Sequence, residues 1–150
     1  MPQFRRKVMI FITNRDRVLI FAHPDHPDAG LQVPAGTLEP GEEPVAGAFR
    51  EGREETGLEG LEFAAILGTV EFDARAYGRD EIHHRTYFHL RCTAEPPDEW
   101  EHWEEDPSDA PGERIRFHLF WAPLGNLPEL IAGHDAFLNT LGGRCQPDSN

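Results

Sequence analysis

The chain has 150 residues and a formal net charge of −13, long enough for one domain with a sizeable core, to which ten phenylalanines can contribute. So acidic a chain has no electrostatic reason to bind nucleic acid or an anionic membrane unaided, and no apolar run approaches the length of a membrane span. Cys92 and Cys145 lie far apart and suggest neither a disulfide framework nor a metal knuckle.

At the amino end, the apolar run Val8 to Ile12 is too short for a secretory leader and is followed by Thr-Asn-Arg-Asp, so a cytoplasmic location is expected. Lys7 to Ile12 and Arg17 to Ala22 are β-branched, apolar runs, and Asn14-Arg15-Asp16 between them predicts a hairpin. His23 to Gly30 reads as a loop, solvated or at the rim of a site; His23 and His26 have no third metal ligand paired with them. Leu31 to Pro34 reads as a short strand.

From Gly36 to Leu58 the chain runs GTLEPGEEPVAGAFREGREETGL. Pro40-Gly41 makes a turn. Pro44 suits the first position of a helix, and Gly57 the residue just past its end, which predicts a helix over 44–56 with Glu42 and Glu43 at its positive end. At 100° per residue, Val45, Ala48, Phe49, Gly52 and Thr56 form a packing stripe. Glu51, Glu54 and Glu55 fall together beside it, at the i, i+3, i+4 spacing that makes them spatial neighbours. Arg50 can pair with Glu54, and no lysine is at hand to relieve the repulsion. Three carboxylates so placed read either as a solvated acidic face or as oxygen ligands for a hard cation such as Mg²⁺ or Mn²⁺.

The full pattern decides between these. It resembles the Nudix box, G-x5-E-x7-R-E-U-x-E-E-x-G-U with U aliphatic. Every fixed letter is present in Gly36, Glu42, Arg50, Glu51, Glu54, Glu55 and Gly57, with Leu58 at the last aliphatic place. Gly52 departs from the pattern, standing where an aliphatic side chain is usual. The preceding Leu31 to Gly36 also looks like the family's entry into the box.

The resemblance implies an α/β/α sandwich and a hydrolase of nucleoside diphosphates linked to another group, a small-molecule nucleotide partner. It implies that Glu51, Glu54 and Glu55, with the carbonyl of Gly36, bind Mg²⁺ or Mn²⁺. Glu51, Glu54 and Arg50 form the expected catalytic set, Arg50 orienting the carboxylates and Glu42 supporting the loop. A domain of this family that binds a nucleotide without hydrolysing it is the alternative, although such domains usually lose box carboxylates. A homodimer is compatible with either.

After the box, Leu61 to Phe72 predicts one or two strands, with a break at Gly68. Asp73 to Asp80 reads as a turn and Ile82 to Ala94 as a half-buried strand, with Tyr87, His89 and Arg91 alternating against Phe88, Leu90 and Cys92. His83, His84 and Arg85 open that strand and are either phosphate contacts or ordinary strand-end residues. Pro96 to Glu113 reads as a long loop. Its Trp100 and Trp103 would share a face in a helical turn, pinning the loop or stacking on a base, while Glu101, Glu104 or Glu105 could add a metal ligand or general base.

Arg114 to Leu124 predicts a strand in which Arg116 and His118 face solvent or a cleft. Leu127 to Leu141 can form an amphipathic helix interrupted by Gly133, and a flexible tail is expected over about 143–150. These elements predict a single α/β domain over 1–150, a mixed sheet with helices on both faces. The subfamily features outside the box leave the group linked to the diphosphate open: Asp73 stands where the ADP-ribose type tends to have proline. Tyr77 lies only near the tyrosine of the diadenosine polyphosphate type.

Overall fold

The computed structural model describes residues 1–105 and 114–141. The strands are β1 (Gln3–Asn14), β2 (Arg17–Ala22), β3 (Ala35–Thr37), β4 (Leu61–Asp73), β5 (Glu81–Cys92), β6 (Glu99–Glu105) and β7 (Arg114–Pro123), and the single α-helix among the described residues is α1 (Pro44–Thr56). They form one mixed sheet in the order β4-β5-β1-β2-β7-β6, with β3 also paired to β1. The β1–β5 pair is parallel, in register from Gln3 opposite Glu81 to Thr13 opposite Arg91; the other pairs are antiparallel.

The run Val8 to Ile12 is buried without interruption because β1 is central and covered on both faces. Val8, Ile10 and Ile12 pack with Leu19, Phe88, Leu90 and Ala48 on the α1 side. Met9 and Phe11 join Val18, Ile20, Tyr87, Leu130, Leu138 and Leu141 on the other. The same two-sided cover explains why β5 is more deeply buried than its alternation predicts: Tyr87 and His89 are as inaccessible as Phe88 and Leu90.

The α/β class, the mixed sheet and the hairpin at Arg15-Asp16 are as expected, Arg15 adopting a left-handed φ of 61° at the turn. Several local readings change. Residues 31–34 make a bridge at Gln32, opposite Phe21, and the strand leading from β2 toward the helix lies instead at Ala35–Thr37. β4 is one strand, irregular in register at Phe63/Ala65 and Ile66/Gly68 rather than broken.

Residues 127–141 are turns with a short 3-10 segment at Leu138–Thr140, not a helix. Ala132, Gly133 and Phe137 all have positive φ, incompatible with a continuing right-handed helix. The carbonyls of Ala132 and Gly133 are taken by Arg85 Nη1 at 2.6 Å and the Tyr87 hydroxyl at 2.8 Å. The segment therefore covers the second face of the sheet through Leu130, Leu138 and Leu141 without a helical ladder.

The acidic stretch after Pro96 contains β6, with Glu101 opposite His118 and Trp103 opposite Arg116 on β7. In a strand, residues three apart lie on opposite faces, so Trp100 and Trp103 do not share one. Residues 106–113 of the expected loop and the expected tail at about 143–150 lie outside the described residues. No helix among the described residues is long and apolar enough to cross a membrane.

Candidate active site

The helix that carries the carboxylates begins at Pro44 and ends where Gly57 turns left-handed, φ 74°, its N–H bonded to Arg53 O at 2.8 Å. Ala48, Gly52 and Thr56 are buried as expected, while Val45 at the first turn stays 39% exposed. Glu51 and Glu55 point inward and are buried; the Glu54 side chain is 52% exposed.

Arg50 holds the acidic groups together. Its Nε and Nη2 reach the two Glu42 oxygens at 2.8 Å each, and its Nη1 reaches Glu51 at 3.0 Å and Glu54 at 3.2 Å. Nη2 also donates to Thr37 O at 3.2 Å. Hydrogen bonding from Arg50 takes the Glu42 carboxyl down to about 2. Glu42 also accepts from Glu39 N at 3.0 Å, so it anchors the arginine and the loop at once.

Glu104, from β6, completes the group. Glu51, Glu55 and Glu104 each present an oxygen within 4.8 Å of the others, and all three residues are buried. Burial pushes the Glu51 carboxyl up to about 7; Arg50 opposes the rise, and Glu104 and Glu54 add to it. Burial, then Glu104 and Glu51, push Glu55 well above the usual carboxylate range against the Ala35 N–H and Lys7. Glu55 Oε1 accepts from Ala35 N at 2.9 Å.

Burial disfavours the ionised form of Glu51 and Glu55, Glu104 adds repulsion to both, and the donors of all three residues are hard oxygens. The set fits Mg²⁺ or Mn²⁺. Gly36 belongs to this geometry, because a Cβ there would collide with the Glu51 carboxylate.

Gly36, Glu55 and Glu104 line a cleft of about 450 Å³. Its walls include Lys7, His83, Arg85, Phe72, Tyr77, His23 and His134. Arg85 lies over the Phe72 ring at 3.8 Å, and Phe72 and Tyr77 are stacked with centroids 5.6 Å apart. His83 Nε2 is 2.8 Å from Glu81.

A family model for the NUDIX domain matches residues 3–141. The chain belongs to the Nudix family. It is 36% identical over 86 residues to diphosphoinositol polyphosphate phosphohydrolase 2 of Mus musculus, a match covering 57% of this chain and 43% of the relative. To diphosphoinositol polyphosphate phosphohydrolase 3-alpha of Homo sapiens it is 35% identical over 86 residues, covering 57% and 48%. The matched stretch thus spans less than half the length of either relative.

Among solved structures, a MutT NUDIX hydrolase from Burkholderia pseudomallei is 26% identical with a TM-score of 0.64, over 91% of this chain and 97% of that one. A NUDIX hydrolase from Nitrosomonas europaea is 27% identical with a TM-score of 0.53, over 64% of each.

Set on this Nudix frame, the residues singled out in the sequence separate. Gly36, Glu51 and Glu55 converge with Glu104, while Glu54 stands outside that group of three, at the exposed edge held by Arg50. Arg85 lines the cleft; His84 points to the opposite side of β5 and is exposed, so it is not a cleft residue. Trp100 and Trp103 are not among the residues that line the cleft. Trp100 packs on the core and donates to Thr56 O at 2.9 Å, while Trp103, 42% exposed, lies under Arg114 at 4.5 Å. The Glu105 side chain lies outside the described residues. Arg116 and His118 face away from the cleft, toward Asp25 and Glu101 and toward Glu99.

Sequence reading missed Lys7 and His134. Lys7 opens the apolar run of β1 and gives a weak signal; His134 lies about a hundred positions from its partner Val33, whose N–H it accepts at 3.0 Å.

Proposed function

We propose that this chain is a divalent-metal-dependent hydrolase that cleaves the pyrophosphate bond of a nucleoside diphosphate linked to another group. The observation that carries the reading is the meeting of Glu51 with Glu55 and Glu104, two residues that line a cleft also holding cationic and aromatic side chains. Glu51, Glu55 and Glu104, with the Gly36 carbonyl and Glu54 at the edge, would hold Mg²⁺ or Mn²⁺. When bound, such a cation neutralises diphosphate charge and acidifies a water. Arg50 orients Glu51 and Glu54, and Glu42 fixes Arg50. Lys7 and Arg85 attract the anionic substrate, and the low dielectric of the cleft strengthens that attraction. Glu51, Glu54 and Arg50 remain the proposed catalytic set.

The names of the curated relatives make diphosphoinositol polyphosphates the competing substrate class. The stacked Phe72 and Tyr77 favour a nucleotide, since an aromatic face suits a base. Both arginines that line the cleft are also engaged within the chain, Arg85 by Ala132 O and Arg79 by Glu81. A single domain working in the cytoplasm on a small molecule completes the reading.

Incubation with Mg²⁺ and a panel of nucleoside diphosphate derivatives, dinucleoside polyphosphates and diphosphoinositol polyphosphates, resolved by chromatography, tests it. Release of a mononucleotide is expected. Turnover of the inositol compounds alone would overturn the nucleotide reading, and binding of a nucleotide without turnover would make the chain a sensor domain.

A further inference from the structure

The last four carbonyls of a helix have no partner within it, and in α1 two of them are taken by β6. His102 Nε2 lies 2.8 Å from Glu54 O, and Trp100 Nε1 donates to Thr56 O at 2.9 Å. The His102 ring rests on Gly57, where a Cβ would stand 3.1 Å from two ring atoms. Side chains alternate along a strand, so residues 100, 102 and 104 form one row toward α1 while Glu101 and Trp103 face away and are exposed. The third member of the inward row is Glu104, which meets Glu51 and Glu55. Among the described residues β6 is the last strand of the sheet and pairs with β7 alone, so its ladder leaves the side facing α1 to be fixed by side chains.

We infer that Trp100 and His102 are positioning residues, latching β6 to the C-terminal carbonyls of α1 so that Glu104 is held at the carboxylates of the helix. The inference rests on the metal-binding part of the function proposed above. Neither residue touches the cleft; both act through Glu104. In His102→Leu the donor is lost at similar size, in Trp100→Phe the N–H is lost and the ring kept, and in His102→Gln an amide N–H can take the place of Nε2.

Mn²⁺ binding to the whole chain, followed by electron paramagnetic resonance without any substrate, supplies the test. The dissociation constant should rise at least about fivefold in His102→Leu and in Trp100→Phe and return to within about twofold of wild type in His102→Gln. In a Glu104→Gln background, His102→Leu should add no further loss, which a general loosening of the fold would not reproduce. Wild-type affinity in both His102→Leu and Trp100→Phe, alongside weak binding by Glu104→Gln, would overturn the latch and leave the metal site standing. A further loss from His102→Leu in the Glu104→Gln background would also overturn it. Failure of the wild-type protein to bind Mn²⁺ would overturn the metal reading and the latch with it. If His102→Leu does not fold, as judged by circular dichroism, Trp100→Phe carries the test, both alone and in the Glu104→Gln background.

Discussion

The Glu51 carboxylate occupies the space that a Cβ on residue 36 would need. Gly36 lies on β3, in register with Val8 of β1, and Glu51 on α1, so the glycine lets the helix bring its carboxylate against the strand. Gly36→Ala must push Glu51 away. Its expected effect is a loss of turnover of about a hundredfold, the scale of a misplaced catalytic group, with a smaller loss of stability, about 1–3 kcal/mol for overpacking. Steady-state kinetics with Mg²⁺ and chemical denaturation of the same variant check both.

Glu54→Gln is expected to lower turnover by about a hundredfold or more while leaving the melting temperature near wild type, because Glu54 is half exposed and contributes only an i,i+4 pair with Arg50. Near wild-type turnover with Mg²⁺ would remove Glu54 from the catalytic set.

Glu55→Gln should separate stability from function. Glu55 is buried against Glu51 and Glu104, and the ionised form is disfavoured. A neutral amide keeps an acceptor for the Ala35 N–H and removes a repelling charge. In metal-free buffer the variant should therefore melt at or above the wild-type temperature. Saturating Mg²⁺, which at a hundred times its dissociation constant would stabilise the wild type by about 2.7 kcal/mol, should stabilise the variant far less. Thermal scans with and without Mg²⁺ would contradict this if both proteins gained equally.

Gly52 sits where the box usually carries an aliphatic residue, and the neighbours that approach it are Leu61, Ile12 and Leu90. A Cβ would meet Leu61 Cδ1 at 3.2 Å, so a full leucine side chain has no room. Gly52→Leu should cost about 1–3 kcal/mol, read from urea denaturation; an unchanged midpoint would mean that Leu61 swings aside.

His134 introduces an acid-sensitive step. Burial, with Arg85, His23 and Lys7 nearby, takes its pKa from 6.5 to about 3, and its Nδ1 must stay unprotonated to accept from Val33 N. Because the folded value is depressed, its contribution to stability is complete above about pH 6.5 and is lost progressively as the pH falls toward 3. His134→Asn keeps an acceptor that does not titrate in this range. Melting temperatures measured across that window should fall less steeply for the variant; parallel curves would place the acid sensitivity elsewhere, for instance at His23, whose pKa burial also lowers.

The helix at 44–56, its Pro44 start and Gly57 end, the carboxylate spacing and the family are legible in the chain alone, because helix-end chemistry and i, i+3, i+4 periodicity are local and survive in a one-dimensional pattern. The sequence also carried the mixed sheet and most strand limits. Tertiary structure decided the rest. Residues 127–141 have the apolar spacing of a helix, yet Arg85 and Tyr87 claim the carbonyls of Ala132 and Gly133 and the segment turns instead. The acidic stretch holding Trp100 and Trp103 pairs with β7 as a strand, which sends the tryptophans to opposite sides and Glu104 inward. Lys7, His134 and Arg85 meet across one cleft from three distant parts of the chain. Contacts of that kind depend on which strand lies beside which, and neither propensity nor spacing records it.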